Sequence, residues 1–384
     1  MTTFELITCL PSALSCTIMQ DWLSLKSVVA LDSAFCCHSH RITFLNLVRS
    51  DEYHIHEQIT IERKSKIFSV LPLYGEKLRS VVIEGRVLPS NEELLVRNCR
   101  NLTHVRFQGF DICTRKLLCI VNHGIILLDL NSTPLKKFEP LQIPLCPNLM
   151  SLGLGNTRLN SHFLSRFIDS CPGVVHFDVS SNSELTDADV LRIVTHWKFL
   201  RGLNIESCRK LTDACLMHIY THCASTLHTL QMNCRIEDPE YGLFPSDPIL
   251  SLAEICELLE HCTTLRTFHI GGDIRLPSVS ISNITTLILK GSARNVYIDT
   301  SNNCCMKLQT LVANSYLAWD SLLHLARNCP ELKEVHVYLN RYINNFWQES
   351  IESMASVLKT INPEVKFKHM HSWGKCQNHH VMSM

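Results

Sequence analysis

Residues 203–230 read LNIESCRKLTDACLMHIYTHCASTLHTL, and the pattern of this segment indicates the fold of the chain. Its first residues alternate apolar and polar side chains, as in a short strand that buries one face. After a turn at Cys208, Thr212 and Asp213 offer side-chain oxygens that can cap the start of a helix. Apolar residues then recur at spacings of three and four, which predicts a helix packed against the strand. The stretch ends in the next strand, at Leu230, so it holds one complete strand–turn–helix unit.

The strand signature of this unit returns through most of the chain. Each copy has apolar residues at positions i−3, i and i+2, and the central residues are Val81, Val105, Leu128, Leu152, Phe177, Leu203, Leu230, Phe268, Leu287, Leu311 and Val335. Repeats of about 20–29 residues built on an L-x-x-L-x-L pattern are typical of leucine-rich repeats. One repeat cannot bury its apolar side alone, so stacked repeats share a core. We therefore expect an α/β solenoid, a leucine-rich repeat horseshoe with parallel strands on its concave face.

The repeats are irregular in their second half, and this sets the predicted domain boundaries. A segment rich in proline and acidic residues, 234–248, is inserted before a helix predicted at about 250–260. The segments that follow the next two strands have no helical period, so we expect extended or irregular backbone there. The predicted parts are a helical domain at 1–50, a linker or N-terminal cap at 51–75, the solenoid at 76–368 and a flexible tail at 369–384.

Side chains alternate along a strand, so positions i−1, i+1 and i+3 point away from the shared core. We call these positions the strand face. Its candidate partner-binding residues are His104, Arg106, Gln108, Asp129, Asn131, His176, Asp178, Asn204, Glu206, Gln231, Asn233, His269, Lys290, His336 and Tyr338. Repeat folds use this surface for extended ligands. The alternative is that these residues are merely solvated sheet positions.

Composition restricts the possible partners and compartments. The chain has 36 basic and 36 acidic residues, so it predicts neither a nucleic acid nor a membrane as a partner. The first 16 residues lack a basic segment and include Glu5, which argues against a secretory signal. Nineteen cysteines spread along such a chain predict reduced and mostly buried thiols, and thus a cytoplasmic or nuclear protein.

Three short helices are predicted before the repeats. The stretch starts with Leu10 and Pro11, and proline suits the first turn of a helix. Leu14, Ile18 and Trp22 fall on one face of that helix. Two further apolar periods follow up to residue 48, which completes a small helical domain.

The repeats resemble the cysteine-containing leucine-rich repeats of F-box proteins, and the N-terminal helices resemble an F-box. This resemblance implies a substrate receptor of a cullin–RING ubiquitin ligase, which performs no bond chemistry itself. The residues that would meet a Skp-type adaptor are Leu10, Pro11, Leu14, Ile18, Leu23 and Val28. A cullin and a protein substrate of unknown identity would complete the assembly. The alternative is a leucine-rich scaffold whose N-terminal helices only cap the first repeat, because terminal repeats need a cap.

Motifs for catalysis and cofactors are weak in this sequence. It contains no phosphate-binding loop, nucleophile elbow, zinc-helix motif or dinucleotide fingerprint. His369, His371, Cys376, His379 and His380 could ligate zinc, but their spacing matches no closed site. We predict no cofactor, no metal and no enzymatic activity, while an active site assembled from several repeats stays open.

Overall fold

A computed structural model of the chain describes residues 10–34, 38–50, 52–62, 65–85, 89–108, 121, 123–133, 143–233, 250–271, 275–276, 283–290, 297–298, 307–314, 327–338 and 355–370. The chain divides into two compact units. Unit 1 comprises residues 1–157 and 165–174, and unit 2 comprises residues 158–164 and 175–384.

The helices alternate with strands after the N-terminal region. The first three are α1 (Ser12–Trp22), α2 (Leu25–Ala34) and α3 (His38–Arg49), followed by the single turn α4 (Leu71–Tyr74) and by α5 (Pro89–Asn98), α6 (Ser161–Ser170), α7 (Asp187–His196), α8 (Asp213–Cys223) and α9 (Leu252–His261). Helices α1–α3, which we call the helical cluster, confirm the predicted N-terminal helices. Helix α9 confirms the helix predicted after the insertion.

All paired strands run parallel within each unit. Unit 1 contains, in spatial order, β1 (Ile55–Glu62), β2 (Leu78–Glu84), β3 (His104–Gln108), β4 (Leu127–Asp129) and β5 (Ser151–Gly153). Unit 2 contains, in spatial order, β6 (His176–Asp178), β7 (Gly202–Asn204), β8 (Thr229–Asn233), β9 (Thr267–Gly271), β11 (Thr286–Lys290), β13 (Thr310–Asn314), β14 (Glu334–Tyr338) and β15 (Lys366–Met370). Parallel strands in chain order, with helices between many of them, are the α/β solenoid that the sequence predicts.

The register of the strands confirms the predicted repeat. In unit 1, Val81 pairs with Val105, Val105 with Leu128, and Leu128 with Leu152. In unit 2 the predicted central residues pair in the same way, from Phe177 and Leu203 through Leu311 and Val335. Each of these central residues is at most 2% exposed, so each repeat contributes to a shared core.

Apart from the short strands β10 and β12, described below, two described strands lie outside the eleven that the sequence predicts. Strand β1 pairs Ile59 with Val81, inside the segment expected to be a linker or cap. Strand β15 pairs Phe367 with Val335 and extends into the segment expected to be a tail. Both strands were missed because a polar residue stands at position i−3, namely His56 or Glu364. A terminal strand packs against one neighbour only, so the full apolar triplet is not needed there.

Buried polar side chains hold the turns that follow β6 and β7. Asn182 is fully buried, its Nδ2 donates to the carbonyl of Val179 at 2.9 Å, and its Oδ1 accepts from the backbone N–H of Leu159 at 2.8 Å. In the next repeat, the thiol of Cys208 takes the same position and donates to the carbonyl of Val179 at 3.4 Å. These contacts join adjacent repeats, because each buried group satisfies backbone of its neighbour.

Short strands occur in two late segments where the helical period is missing. The two-residue strands β10 (Arg275–Leu276) and β12 (Tyr297–Ile298) pair in parallel and form a small sheet of their own. This agrees with the expectation of extended backbone in these segments. The insertion at 234–248 lies outside the described residues.

Candidate partner-binding surfaces

A chain of polar contacts crosses the strand face of unit 1. Arg106 Nε lies 2.8 Å from Asp129 Oδ2 in an ion pair, and Asp129 Oδ1 accepts from the backbone N–H of Asn131 at 3.0 Å. Asn131 Oδ1 in turn accepts from the N–H of Gly155. The side chains of Arg106, Asp129 and Asn131 are half-buried. Because these contacts link them, they form one connected surface on β3, β4 and the turn after β4. His104 is also half-buried there, and burial lowers its pKa below the usual range, while Gln108 is exposed.

Strands β6 and β7 carry an accessible part of the strand face in unit 2. His176, Asp178, Asn204 and Glu206 are each half-buried and therefore reachable from solvent. Asp178 Oδ1 accepts from the N–H of Ser180 at 3.0 Å, and Asn204 Oδ1 accepts from the N–H of Glu206 at 3.1 Å. These local bonds fix the two side chains, so the surface is ordered before a partner arrives.

Farther along unit 2 the middle column of the strand face is buried. Gln231, His269 and His336 are 9%, 4% and 7% exposed. Their outward-facing neighbours Ile288 and Val312 are 4% and 0% exposed. Contact with a partner at these positions would require part of the chain to move, so the structure does not offer them as open surface. Asn233, at the end of β8, is half-buried.

His336 belongs to a small charged group on β14 and β15. Its Nε2 donates to Glu334 Oε2 at 3.0 Å, and Lys368 Nζ lies 3.8 Å from Glu334 Oε1. The hydrogen bond from His336, helped by the charge of Lys368, lowers the pKa of Glu334 below its usual range although burial opposes the shift. The other ring nitrogen, His336 Nδ1, is buried and has no hydrogen-bond partner among the described residues. The side chains of Lys290 and Tyr338, also predicted for the strand face, lie outside the described residues.

The helical cluster exposes apolar side chains on two of its helices. Leu14 on α1 is 47% exposed and Ile42 on α3 is 46% exposed, whereas Met19, Phe44 and Val48 are fully buried. The cluster therefore has its own core and leaves two large aliphatic side chains outside it. Of the other predicted adaptor residues, Pro11 is exposed and Leu10, Ile18 and Leu23 are half-buried.

Val28 is a correction to the predicted adaptor set. The sequence pattern expects it on an exposed ridge, but its side chain is 0% exposed. It lies on α2, which packs against α3, and helps to form the core of the helical cluster. Ile42, which the pattern did not select, has the exposure expected of an adaptor contact. Apolar spacing alone cannot tell the two faces of a short amphipathic helix apart once a second helix covers one of them.

The helical cluster is joined to the first strand of unit 1. The N–H of Leu25 donates to Glu57 Oε2 at 2.8 Å, and Lys77 Nζ donates to the carbonyl of Ser50 at 2.7 Å. Cys16 and Tyr53 are nearly fully buried at this junction, and burial is the main reason that the pKa of Tyr53 is raised. The helices therefore cover one end of the first repeats.

Most described thiols are buried and protonated, although a hydrogen bond with Cys171 lowers the pKa of Cys146. The described cysteines form no disulfides and are buried except for Cys256, which is half-buried. Burial raises the pKa of Cys99 and of Cys208 to about 12, which keeps both thiols protonated. No three His, Cys, Asp or Glu side chains come together as metal ligands among those residues. The histidines and the cysteine beyond residue 370 lie outside them.

No helix in the described part of the chain has the length and apolar character needed to cross a membrane.

No protein-family model matches the chain, and no curated protein matches it either. Among solved structures, a chain in the crystal structure of the Rad7 and Elc1 complex in yeast is similar, with a TM-score of 0.53 and 16% sequence identity. The similarity covers 93% of this chain and 86% of that chain. At this identity the comparison supports the solenoid fold alone.

Proposed function

We propose that this chain is the substrate-recognition subunit of a cullin–RING ubiquitin ligase of the SCF type. In this proposal the helical cluster binds a Skp-type adaptor, and the strand face binds the protein substrate. The chain performs no bond chemistry. It raises the effective concentration of a substrate lysine near a charged ubiquitin-conjugating enzyme, which is a proximity effect.

The observation that carries this proposal is the exposure of Leu14 and Ile42. Leu14 and Ile42 lie on α1 and α3, which pack against each other, and a joint apolar surface of these two helices would suit an adaptor, since contiguous exposed apolar patches mark interaction sites. The similar solved chain was crystallised in a complex of two proteins, Rad7 and Elc1, which supports a role in an assembly. Leu10, Pro11, Ile18 and Leu23 would surround the two exposed residues.

The test is co-purification of the tagged full-length chain from cells, followed by mass spectrometry of adaptor and cullin. We expect the Leu14→Asp, Ile42→Asp double variant to lose at least about tenfold of both proteins, because burying a carboxylate in an apolar interface costs several kcal/mol. Met217→Asp is the matched control, because Met217 is 44% exposed on α8 and is not part of the helical cluster. Equal recovery of the adaptor with the double variant would remove the ligase proposal.

A second candidate function is a leucine-rich scaffold whose helical cluster only seals the repeats. The hydrogen bonds from Leu25 to Glu57 and from Lys77 to Ser50 favour this role. In that case neither adaptor nor cullin would co-purify with the unaltered chain, although its strand face would still bind a partner.

A further inference from the structure

Two cysteines of unit 1 occupy the same position in consecutive repeats. Cys146 stands six residues before the central residue Leu152, and Cys171 stands six residues before the central residue Phe177. A proline follows each cysteine. Both cysteines belong to unit 1, and they are 1% and 0% exposed. We call Cys146 and Cys171 the cysteine pair.

The backbone segments that carry the cysteine pair lie directly against each other. The N–H of Cys146 donates to the carbonyl of Ser170, the residue before Cys171, at 2.8 Å. A Cβ atom on Gly173 would lie only 2.8 Å from the carbonyl oxygen of Pro147, so the two segments approach closely beyond the cysteines as well. Segments that are hydrogen-bonded side by side, as strands are, lie about 4.8 Å apart. Disulfides join cysteines whose Cα atoms are about 4.4–6.8 Å apart, so the main chain already has the spacing that a disulfide needs.

The two sulfur atoms are in contact through a hydrogen bond. This bond lowers the pKa of Cys146 although burial opposes the shift, and the same bond, together with burial, raises the pKa of Cys171. A hydrogen bond stabilises the charged form of the group that accepts it, so Cys171 is the donor and Cys146 the acceptor. The sulfur of Cys146 also lies 3.3 Å from the carbonyl oxygen of Pro144. The pair therefore contains one sulfur that loses its proton more easily and one that keeps it.

A second pair of buried cysteines, in unit 2, provides a comparison. Cys262 stands six residues before Phe268, and Cys223 stands seven residues before Leu230. They are 1% and 0% exposed. Burial is the main cause that raises the pKa of Cys223 to about 11 and that of Cys262 to about 12. Neither of these two thiols is activated, so they share the burial of the cysteine pair but not its chemistry.

We propose that the cysteine pair is a site of reversible oxidation, at which a hydroperoxide converts Cys146 and Cys171 into a disulfide. The Cys146 thiolate attacks one oxygen of the hydroperoxide, and the O–O bond breaks. This step forms a sulfenic acid on Cys146, and the other oxygen leaves as water or an alcohol with the proton that Cys146 released. The sulfur of Cys171 then attacks the sulfur of the sulfenic acid, and the hydroxyl leaves as water with the proton of Cys171. The two thiols lose two electrons, which the hydroperoxide gains.

The position of the cysteine pair suits such a reaction. Leu145 is 54% exposed and Pro147 is exposed, so Cys146 lies one residue below the surface on both sides and a small oxidant needs only a local opening to reach it. Transient disulfides that sense oxidants are the kind found in reducing compartments. The bond would close a loop that contains β5, and this restricts the unfolded chain. The proposal is independent of the proposed function, because neither cysteine belongs to the helical cluster or to the strand face.

The test maps disulfides in the unaltered full-length chain after reduction, removal of the reductant and treatment with hydrogen peroxide. The remaining thiols are blocked with N-ethylmaleimide, and an unreduced tryptic digest is analysed by mass spectrometry. Arg158 and Arg166 lie between Cys146 and Cys171, so trypsin separates the two cysteines and a linked peptide reports the disulfide. We expect this linkage to exceed linkage of the control cysteines Cys223 and Cys262 by at least about tenfold, because thiolates react and protonated thiols do not. Dithiothreitol should reverse it.

Two serine variants separate the roles of the two sulfur atoms. Cys171→Ser should leave Cys146 as a sulfenic acid, which dimedone labels, because the second sulfur is missing. Cys146→Ser should leave Cys171 largely unlabelled at the same dose of hydrogen peroxide, because Cys171 keeps its proton. The oxidised unaltered chain should unfold at a higher urea concentration than the reduced chain, and neither variant should show this increase.

Three results would overturn the proposal: no linked peptide from the folded chain, equal linkage of Cys223 to Cys262, or linkage only when the peroxide is added in urea. Equal dimedone labelling of the two variants would overturn the assignment of Cys146 as the attacking sulfur. The disulfide map uses the unaltered chain, so it decides the question even if a serine variant fails to fold. No adaptor takes part in the assay, so its outcome is separate from that of the ligase proposal.

Discussion

Gly202 provides the space that the imidazole of His176 occupies. A Cβ atom on Gly202 would lie 2.5 Å from His176 Nδ1, closer than any real contact of this kind. In a position that tolerates it, Gly→Ala stabilises a protein by about 0.4–1 kcal/mol through the unfolded state. Here the clash reverses the sign, because the half-buried ring must move away. The conformation of His176 on the strand face therefore depends on a glycine in the next repeat.

We predict that Gly202→Ala lowers the free energy of unfolding by about 1–3 kcal/mol, as overpacking does. Urea denaturation of the purified chain, followed by circular dichroism, measures the change. The His176→Ala, Gly202→Ala double variant should regain most of the loss relative to His176→Ala alone. If Gly202→Ala destabilises both backgrounds equally, the ring of His176 is not the cause.

The lowered pKa of His176 predicts how stability changes with pH. In the unfolded chain a histidine titrates near about 6.5, and in the folded protein burial and nearby positive charge lower its pKa. Below about pH 6.5 the unfolded chain therefore takes up a proton that the folded protein resists. The contribution of His176 is complete above this pH and declines as the pH falls through the folded-state pKa.

Urea midpoints measured between pH 7.5 and pH 5 should fall less steeply for His176→Gln than for the unaltered chain. His104→Gln should flatten the curve in the same direction, because burial also lowers the pKa of His104. Parallel curves for all three proteins would contradict the assignment.

At the scale of elements, the starts of the helices connect the repeats of unit 2. The carboxylate of Asp189, only 4% exposed, accepts from the N–H of Thr186 at 3.0 Å, from Thr186 Oγ1 at 2.8 Å and from Ser161 Oγ at 3.1 Å. Asp187, on the same helix α7, accepts from both the N–H and the hydroxyl of Thr212, which starts the helix of the next repeat. Asp189 therefore serves its own helix and the preceding one, and Asp187 serves the helix that follows.

We predict that Asp189→Asn lowers the free energy of unfolding by about 1–3 kcal/mol, because the amide nitrogen cannot accept from the donors that it would then face. Asp169→Asn, on the exposed side of α6, is the control and should change stability by less than about 0.5 kcal/mol. Urea unfolding at neutral pH compares the two. A loss of the same size in both variants would mean that the buried cap is not the source.

Asn182 gives a second prediction at this scale, with a local readout. Asn182→Ala leaves the buried N–H of Leu159 without its acceptor, and each such unsatisfied group costs about 1–3 kcal/mol. Hydrogen exchange at Leu159 should accelerate more than exchange at amides within α8. Ser183→Ala, at the exposed neighbouring position, should leave the exchange of Leu159 unchanged.

Strands and their outward positions were predictable, because they depend on a local sequence pattern. The exposure of individual side chains was not predictable where it depends on distant parts of the chain. The period-two alternation around Leu203 or Leu311 identifies both the strand and its outward side chains. The pattern cannot reveal that His269 and His336 are buried, because other parts of the chain determine the exposure of an outward position. The same reason explains Val28, whose burial depends on how α2 packs against α3, and His176, whose position depends on Gly202.

At the scale of the whole molecule, the proposed function gives the N-terminal helices two roles that the sequence presents as alternatives. Hydrogen bonds to Glu57 and from Lys77 fasten the helical cluster to the first strands of unit 1. At the same time, Leu14 and Ile42 keep apolar surface outside the core. If the proposed function is right, the buried residues of the cluster act as a cap while the exposed ones bind the adaptor, so mutations should separate the two roles.

Deletion of residues 1–50 should remove the cap and the adaptor surface together. Without the helices, Cys16 and Val48 no longer cover the junction with Tyr53, and the partners of Glu57 and Lys77 are lost. Terminal repeats without a cap expose the shared core, so we expect amide hydrogen exchange in β1 and β2 to accelerate by at least about tenfold. Strands β7 and β8 of unit 2 should keep their protection, since repeat arrays are stabilised mainly by contacts between neighbouring repeats.

The control for this deletion is the Leu14→Asp, Ile42→Asp double variant. It should leave exchange in β1 and β2 unchanged and remove only the adaptor. If the deletion leaves exchange in β1 and β2 unaltered, the helices do not act as a cap. If the double variant accelerates exchange in β1 and β2 as much as the deletion does, Leu14 and Ile42 stabilise the fold and do not form an adaptor surface.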